Sequence, residues 1–413
     1  MSGYMQKTPH ALLLALAAAL AMPGLAAAGS DTQGFIYGRV TAESGTVYEG
    51  RLRWNGDEEA FWGDFFNATK EGRPYEDEVP DRAFREEREP IRIFGIRIGS
   101  HSWSSSGRQL VARFGDLRRI DVHRGDEATL VMKSGLKVDI DGGSNDVDGT
   151  IYVWDKELGE VKLEWDRLET IEFLPTPAGL AVADHRLHGK VRTDVGVFEG
   201  YVQWDQEECQ SSDKLDGDGP DGDMSIEMGK IQSIERRSRR SSRVTLWGGR
   251  DFELDGTNDV NDDNRGIYVE DARYGRVLIP WSAFERVDFS EAGSSGPAYD
   301  DFKPAEPLRG TVTDVDGKSY RGKIVYDVDE SETWEMLNGE WRDVEYSIPF
   351  ALIRAVEPRD DDSSRVFLKS GEELVLEDSA DVGEGNAGVL VIPTEGKPIY
   401  VEWDEVKRVE LEG

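Results

Sequence analysis

Hydrophobic and polar residues alternate in short runs along most of the chain, which is the pattern of half-buried β-strands. Three segments share one such arrangement, and they begin at Gly38, Gly189 and Gly310. In each segment, one alternating run meets a glycine turn, and a second run ends on a large aromatic residue, namely Trp54, Trp204 or Tyr326. Each segment therefore predicts a β-hairpin.

A second pattern recurs downstream of each hairpin. The runs FGDLRRI, MGKIQSI and FALIRAV have apolar residues three apart, which predicts one tight helical turn leading into a strand. Each is followed by further strand-like runs that reach Trp165, Trp281 or Trp403. The offset from Gly189 to Gly310 is 121 residues and that from Trp281 to Trp403 is 122, so the similarity is a true repeat.

These patterns predict an all-β chain of three tandem repeats, at residues 34–174, 187–290 and 308–412. Within each repeat the two halves resemble each other. Five short strands with a helical turn before the last are typical of small SH3-like or Sm-like barrels, so we expect two barrel halves per repeat. A six-bladed β-propeller with one blade per half is the alternative. The Ser-, Gly- and Pro-rich linker at residues 291–307 is expected to be flexible.

The first repeat carries an insertion at about residues 59–113. Trp54 and Phe114 are 60 positions apart, whereas Trp204 and Met228 are 24 apart, which gives 36 additional residues. Insertions in repeat proteins usually map to loops, and loops often carry binding functions. An ordinary surface insertion without a function is the alternative.

The first 28 residues have the composition of a signal peptide. Lys7 precedes an apolar run over residues 11–22, and small residues follow at 26–28. We therefore expect export to the periplasm or the extracellular space. The apolar run is shorter than a membrane-spanning helix requires, so no integral membrane segment is expected in the mature chain.

The formal net charge of −34 disfavours nucleic acid as a partner, because a strongly acidic surface repels polyanions. One basic run lies against this background, at residues 236–243. It is expected to be an ion-paired turn between two strands, with a phosphate or acidic-glycan site as the alternative.

The most repeated polar feature is a loop that reads SNDV, TNDV and SADV around Asp146, Asp259 and Asp381. Clustered carboxylates and amides suit calcium. Asp and Asn equally favour turns, because their side chains bond to nearby backbone groups. Calcium is therefore a possible cofactor, and turn capping is the competing and preferred interpretation.

Other residues give weaker signals. The lone Cys209 is interpreted as a passive surface thiol, His185 and His188 as linker residues, and the acidic stretch at 213–223 as a flexible loop. We find no nucleophile elbow, no phosphate-cradling loop and no complete metal motif. No catalytic, cofactor-binding or metal-ligating residue is assigned.

The tryptophans divide into two groups. Those at equivalent strand ends are expected in the core. Those without an equivalent are candidates for a surface role in binding. The second group comprises Trp62, Trp103, Trp334 and Trp341.

Together these features favour an exported, non-enzymatic repeat protein that acts as a binding or scaffold module of the cell envelope or secreted fraction. Its expected partner is a protein or a glycan. The alternative is a calcium-dependent carbohydrate-binding protein or a polysaccharide-acting hydrolase.

Overall fold

The computed structural model describes residues 31–56, 58–72, 74–80, 108–142, 144 and 146–413, so the predicted signal peptide lies outside the described residues. These residues form thirty β-strands joined by turns and by three-residue 3-10 helices, which confirms the predicted all-β class. In this part of the chain no helix is long and apolar enough to cross a membrane.

The strands fall into three sets of ten along the chain. The first strand set comprises β1 (Tyr37–Ala42), β2 (Val47–Trp54), β3 (Phe65–Lys70), β4 (Arg108–Arg113), β5 (Leu117–Val122), β6 (Glu127–Met132), β7 (Lys137–Asp141), β8 (Thr150–Asp155), β9 (Gly159–Glu164) and β10 (Leu168–Phe173). The second comprises β11 (His188–Thr193), β12 (Gly196–Gln203), β13 (Lys214–Gly219), β14 (Gly222–Glu227), β15 (Ile231–Arg236), β16 (Ser241–Leu246), β17 (Asp251–Asp255), β18 (Ile267–Asp271), β19 (Gly275–Ile279) and β20 (Phe284–Phe289). The third comprises β21 (Arg309–Asp314), β22 (Ser319–Val325), β23 (Met336–Trp341), β24 (Val344–Pro349), β25 (Ile353–Pro358), β26 (Ser363–Leu368), β27 (Glu373–Glu377), β28 (Val389–Ile392), β29 (Ile399–Val401) and β30 (Val406–Leu411).

The strands of the first set hydrogen-bond in the order β4-β3-β7-β6-β5-β10-β1-β2-β8-β9, and every pair is antiparallel. The corresponding pairs recur in the second and third sets. Among the described residues, the end strands β4 and β9 do not pair with each other. The sheets are therefore large and open, and the prediction of closed small barrels is wrong. They also do not separate into the independent blades of a propeller.

In each set, the first five strands (the first half) and the last five strands (the second half) pair with each other through their hairpins. The β1–β2 hairpin of the first half pairs with β10 and β8 of the second half. The β6–β7 hairpin of the second half pairs with β5 and β3 of the first half. The final strands β5 and β10 then pair with each other, so the halves form one sheet.

The second and third sets are joined by a direct ladder between β19 and β24. Arg276, Val277 and Leu278 of β19 lie opposite Ser347, Tyr346 and Glu345 of β24. The two sets therefore share one continuous twenty-stranded sheet.

The predicted tight helical turns are confirmed as short 3-10 helices that directly precede a strand. They occupy Phe114–Asp116, Trp165–Arg167, Met228–Lys230, Phe350–Leu352 and Trp403–Glu405. Each begins with a buried aromatic residue or methionine. Apolar residues three apart therefore mark a single 3-10 turn whose first side chain lies in the core, and a strand follows directly.

The aromatic residues at equivalent strand ends are buried, as predicted. Trp54 and Trp204 are fully buried, and the Trp204 ring lies 5.2 Å from that of Phe284 in an edge-to-face contact. Trp62 and Trp334 are also buried, so their predicted surface role is wrong. Trp62 packs against Tyr299 of the linker, and Trp334 of the third set joins the hydrophobic core of the first set. The pattern within one repeat does not reveal such contacts.

A recurrent glycine in the second strand of each set is required by close backbone packing. A Cβ atom at Gly50, Gly200 or Gly322 would lie 2.1, 1.9 or 2.3 Å from a carbonyl oxygen of the neighbouring strand. Any other residue would force these strands apart.

The insertion in the first set is narrower than predicted. Residues 59–70 belong to the common loop and to β3, so the insertion occupies residues 71–107 between β3 and β4. The equivalent hairpins of the other sets have two-residue connections, at Pro220–Asp221 and Arg342–Asp343. Tyr75 and Val79 of the insertion pack against the third set.

The linker at residues 291–307 is tied to the first strand set, contrary to its predicted flexibility. Gly34 N donates to Ser295 Oγ at 2.8 Å, and the Tyr299 hydroxyl donates to Leu117 O at 2.9 Å. Lys133 Nζ lies 3.2 Å from the centre of the Tyr299 ring. The Ser, Gly and Pro content of the linker predicted flexibility, whereas one buried serine and one aromatic ring anchor it.

Candidate functional site

The recurring aspartates each tie a loop to a strand in the same way. Asp146, Asp259 and Asp381 are buried. Their Oδ2 atoms accept hydrogen bonds of 2.6 Å from the backbone N–H of Asn67, Asp216 and Asn338, in that order. A carboxylate that accepts a backbone N–H is a strong, charge-assisted contact. These bonds reach strands 43 or 79 positions away in the sequence, whereas turn capping would bond nearby backbone groups.

The backbone of the same aspartates holds the strand-end aromatics. Asp146 O accepts from Trp54 Nε1 at 3.2 Å, and Asp259 O accepts from Trp204 Nε1 at 3.0 Å. In the third set the Tyr326 hydroxyl donates to Asp381 O at 2.7 Å. Each aspartate loop thus satisfies the polar atom of a buried aromatic ring.

Each aspartate also lies close to a buried glutamate that the sequence did not single out. The pairs are Glu59 with Asp146, Glu208 with Asp259, and Glu330 with Asp381. The only sequence signal is an acidic run four or five residues after the aromatic, in WNGDEE, WDQEE and YDVDE. The pairs are spatial, so the sequence alone could not match them.

Burial and mutual repulsion favour the protonated form of these carboxyl groups. Desolvation, followed by the charge of Asp259, raises the pKa of Glu208 to about 10. Desolvation raises the pKa of Asp146, Asp259 and Asp381 to about 6, although hydrogen bonds from the backbone partly oppose it. Each pair therefore holds a proton near neutral pH or requires a compensating cation.

The three sets differ in the cations near these pairs. In the second set, Arg265 binds the adjacent Asp205 at 2.8 Å and also binds Glu207. In the third set, Lys70 of the first set lies 3.8 Å from Glu330. In the first set a third carboxylate, Glu58, joins the pair, and one oxygen of each of Glu58, Glu59 and Asp146 lies within 4.8 Å of the others.

Buried ion pairs connect the strand sets to one another. Arg53 of the first set binds Asp213 of the second with two hydrogen bonds of 2.8 Å. Lys70 of the first set lies 3.0 Å from Glu335 and 3.1 Å from Asp329 of the third. Burial alone would lower the pKa of Lys70, but the surrounding carboxylates raise it. These buried charges are thus paired across the boundaries between strand sets.

A third such connection is made by Arg186, which precedes β11. Its guanidinium binds Asp64 of the first set and lies 2.9 Å from Glu270 of β18. It also stacks on the Tyr201 ring at 4.0 Å. A cleft lined by these groups encloses about 20 Å³, enough for roughly one water molecule.

The acidic partners in these connections share a second role. Asp64, Asp213 and Glu335 each accept two backbone N–H groups from the loop that precedes them. The same carboxylate therefore fixes its own loop and holds a cation from another set. This second role could not be recognised in the sequence, because each residue is a single acid among many.

Two further predictions require correction. Cys209 is buried rather than on the surface, because its loop packs against the first set and its Sγ donates to Glu58 O at 3.2 Å. Desolvation raises the pKa of its thiol well above the usual value. The acidic stretch at 213–223 forms the β13–β14 hairpin rather than a flexible loop, because its alternate residues face the core.

The remaining candidates are less central. The basic run at 236–243 is a turn between β15 and β16 with ion pairs from Arg237 to Glu235 and from Arg239 to Asp262, as predicted.

His185 lies in the segment before β11, whereas His188 is the first residue of β11 rather than a linker residue. Trp341 is half-buried, and Trp103 lies outside the described residues. Trp247, at the β16–β17 turn, is 52% exposed and was not singled out by the sequence.

No protein-family model, curated protein or solved structure matches this chain.

Proposed function

We propose that this chain is an exported, non-enzymatic scaffold of the cell envelope or secreted fraction, which presents a binding segment to a protein or glycan partner. The observation that supports this proposal is the interlocking of the three strand sets. Buried ion pairs through Arg53, Lys70 and Arg186 connect the first set to the other two. The β19–β24 ladder connects the second set to the third.

On this proposal, each strand set is one repeat composed of two SH3-like units that have exchanged their first hairpins. The order β10-β1-β2-β8-β9, with a 3-10 turn before β10, supports one unit. The order β5-β6-β7-β3-β4, with a 3-10 turn before β5, supports the other. Such an exchange makes the two units of a repeat interdependent, which suits a rigid scaffold.

The recurring acidic residues support a structural role rather than a catalytic one. Asp146, Asp259 and Asp381 accept backbone hydrogen bonds and are buried against strand-end aromatics. Catalytic carboxyl groups must reach a substrate, which generally lies in an open cleft.

The insertion of the first set is the proposed partner-binding segment. Its beginning is anchored, because Tyr75 and Val79 contact Val325 and Val328 of the third set and Lys323 Nζ donates to the Tyr75 hydroxyl at 3.2 Å. The remainder, residues 81–107, carries five arginines and four acidic residues in an otherwise acidic chain. It also carries the apolar run IRIFGIRIG and Trp103, a composition suited to protein contacts.

Replacing residues 81–107 with a short Gly-Ser linker should abolish partner capture and leave the fold intact. β3, β4 and the Tyr75 and Val79 contacts are retained in this variant. The measurement is affinity capture from a native envelope extract with immobilised wild-type or variant protein, followed by mass spectrometry. The thermal unfolding midpoint of the variant should remain within ~2 °C of the wild type, since long surface loops contribute little to stability.

The control is Trp247→Ala, which removes the exposed aromatic at the β16–β17 turn and should retain the captured partner. Equal capture by the wild type and the linker variant would refute the role of the insertion. Capture of no partner by any of the three proteins would count against the binding function itself.

A further inference from the structure

The carboxylate cluster of the first strand set has the dimensions of a cation site. One oxygen of each of Glu58, Glu59 and Asp146 lies within 4.8 Å of the others, and all three residues are at most 6% exposed. Calcium binds oxygen at about 2.3–2.6 Å, so two of its ligand oxygens lie at most about 5 Å apart. A single ion can therefore contact all three carboxylates.

A second observation points independently to a missing positive ligand. Glu59 Oε2 is buried and has no hydrogen-bond partner within the described part of the chain. The other oxygen, Oε1, has a long contact of 3.5 Å with Gln203 Nε2, and the Glu59 carboxyl also hydrogen-bonds the Asp146 side chain. A buried carboxylate oxygen without a partner is strongly unfavourable, so the site requires a proton or a cation.

Arg276 acts on Glu59 and Asp146 only indirectly. Arg276 Nη1 donates to Asn67 Oδ1 at 3.0 Å, and Asn67 Nδ2 donates in turn to Asp146 at 2.9 Å. Neither Glu59 nor Asp146 forms an ion pair with a lysine or arginine among the described residues. Arg276 therefore orients Asn67 and does not occupy the space between the carboxylates.

The other two strand sets supply an internal comparison. Arg265 pairs with Asp205 and Glu207 of the second set, and Lys70 and Arg108 reach the acidic loop of the third. The Oε2 atoms of Glu208 and Glu330 are also buried without a hydrogen-bond partner among the described residues, so the first set differs by its third carboxylate, Glu58. The first set has Gly149 at the position of Arg265, directly before the strand that begins at Thr150. Only here, among the described residues, do three carboxylates come within 4.8 Å of one another.

We propose that the first strand set binds one hard divalent cation of the calcium class through Glu58, Glu59 and Asp146. The donor set consists only of carboxylate oxygens, which suits calcium. Magnesium is less suitable, because it retains several water molecules and the site is buried. The ion would join the loop after β2 to the loop after β7. This inference goes beyond the scaffold function and does not depend on a partner.

The test measures calcium and terbium binding to the purified protein. Terbium substitutes for calcium and emits when a nearby tryptophan is excited, and Trp54 Nε1 lies 3.2 Å from Asp146 O. We expect tryptophan-sensitised terbium emission that calcium competes away. We also expect saturating calcium to raise the thermal midpoint by ~3 °C or more relative to chelator.

Glu59→Gln should lose both the emission and the calcium-dependent shift. The matched control is Glu208→Gln, which changes the equivalent glutamate of the second set and should keep both signals. If Glu59→Gln fails to fold, Glu58→Gln provides the same test. The absence of terbium emission and of a calcium shift in the wild type would overturn the proposal, as would identical binding by the Glu59 and Glu208 variants.

Discussion

Replacing Arg186 with methionine should lower the free energy of unfolding by about 3–5 kcal/mol, the range found when one partner of a buried ion pair is removed. The Arg186 side chain is 4% exposed and is shared between Asp64 and Glu270. Methionine fills a similar volume but leaves both carboxylates without their cation, so their burial is no longer compensated. Urea unfolding followed by tryptophan fluorescence measures the change.

The matched control is Arg192→Met in the adjacent strand. Arg192 lies 3.4 Å from Asp288, but its side chain is 57% exposed. An exposed ion pair of this kind contributes about 0–1 kcal/mol. Equal losses in the two variants would show that burial between the strand sets does not strengthen the Arg186 contacts.

Glu208→Gln should stabilise the protein, and the gain should increase with pH. Burial raises the pKa of Glu208 to about 10 from its usual 4.5, so folding favours the protonated side chain. The wild type has the full benefit of this carboxyl below pH 4.5 and loses it as the pH rises toward 10. The neutral amide has no such loss, and at pH 7 the expected gain is about 3 kcal/mol, at about 1.4 kcal/mol per pKa unit.

Unfolding free energies measured between pH 4 and 8 test this expectation. Glu227→Gln is the control, because hydrogen bonds from Lys230 and Lys214 lower the pKa of this exposed glutamate. That variant should gain no stability as the pH rises. A pH-independent effect of Glu208→Gln would mean that Glu208 is not protonated in the folded protein.

Local features of the fold could be predicted from the sequence because they depend on neighbouring residues. Alternation predicted the hairpins, and apolar spacing of three predicted the 3-10 turns such as Phe114–Asp116 and Met228–Lys230. The pairing of the β1–β2 hairpin with strands of the second half could not be predicted. Both halves present similar strand edges, so the choice between β2–β8 pairing and pairing within one half depends on tertiary packing.

The candidate site was predicted in part. The repeated aspartate Asp146 stands out in the sequence, but its partner Glu59 lies 87 positions away and is one acid among many. The burial of some aromatic residues also could not be predicted, because it depends on residues far away in the sequence. Trp62, for example, was interpreted as exposed because it has no equivalent in the other repeats, yet its Nε1 donates to Thr176 Oγ1 at 3.0 Å in the core.

The central claim is that the three strand sets form one interlocked body. Differential scanning calorimetry of the purified protein tests it most directly, through the ratio of the calorimetric to the van't Hoff enthalpy of unfolding. Shared ion pairs at Arg53, Lys70 and Arg186, together with the β19–β24 ladder, predict a single transition with a ratio of about one. Separate transitions, or a ratio of about three, would show that the sets unfold independently and would contradict this claim.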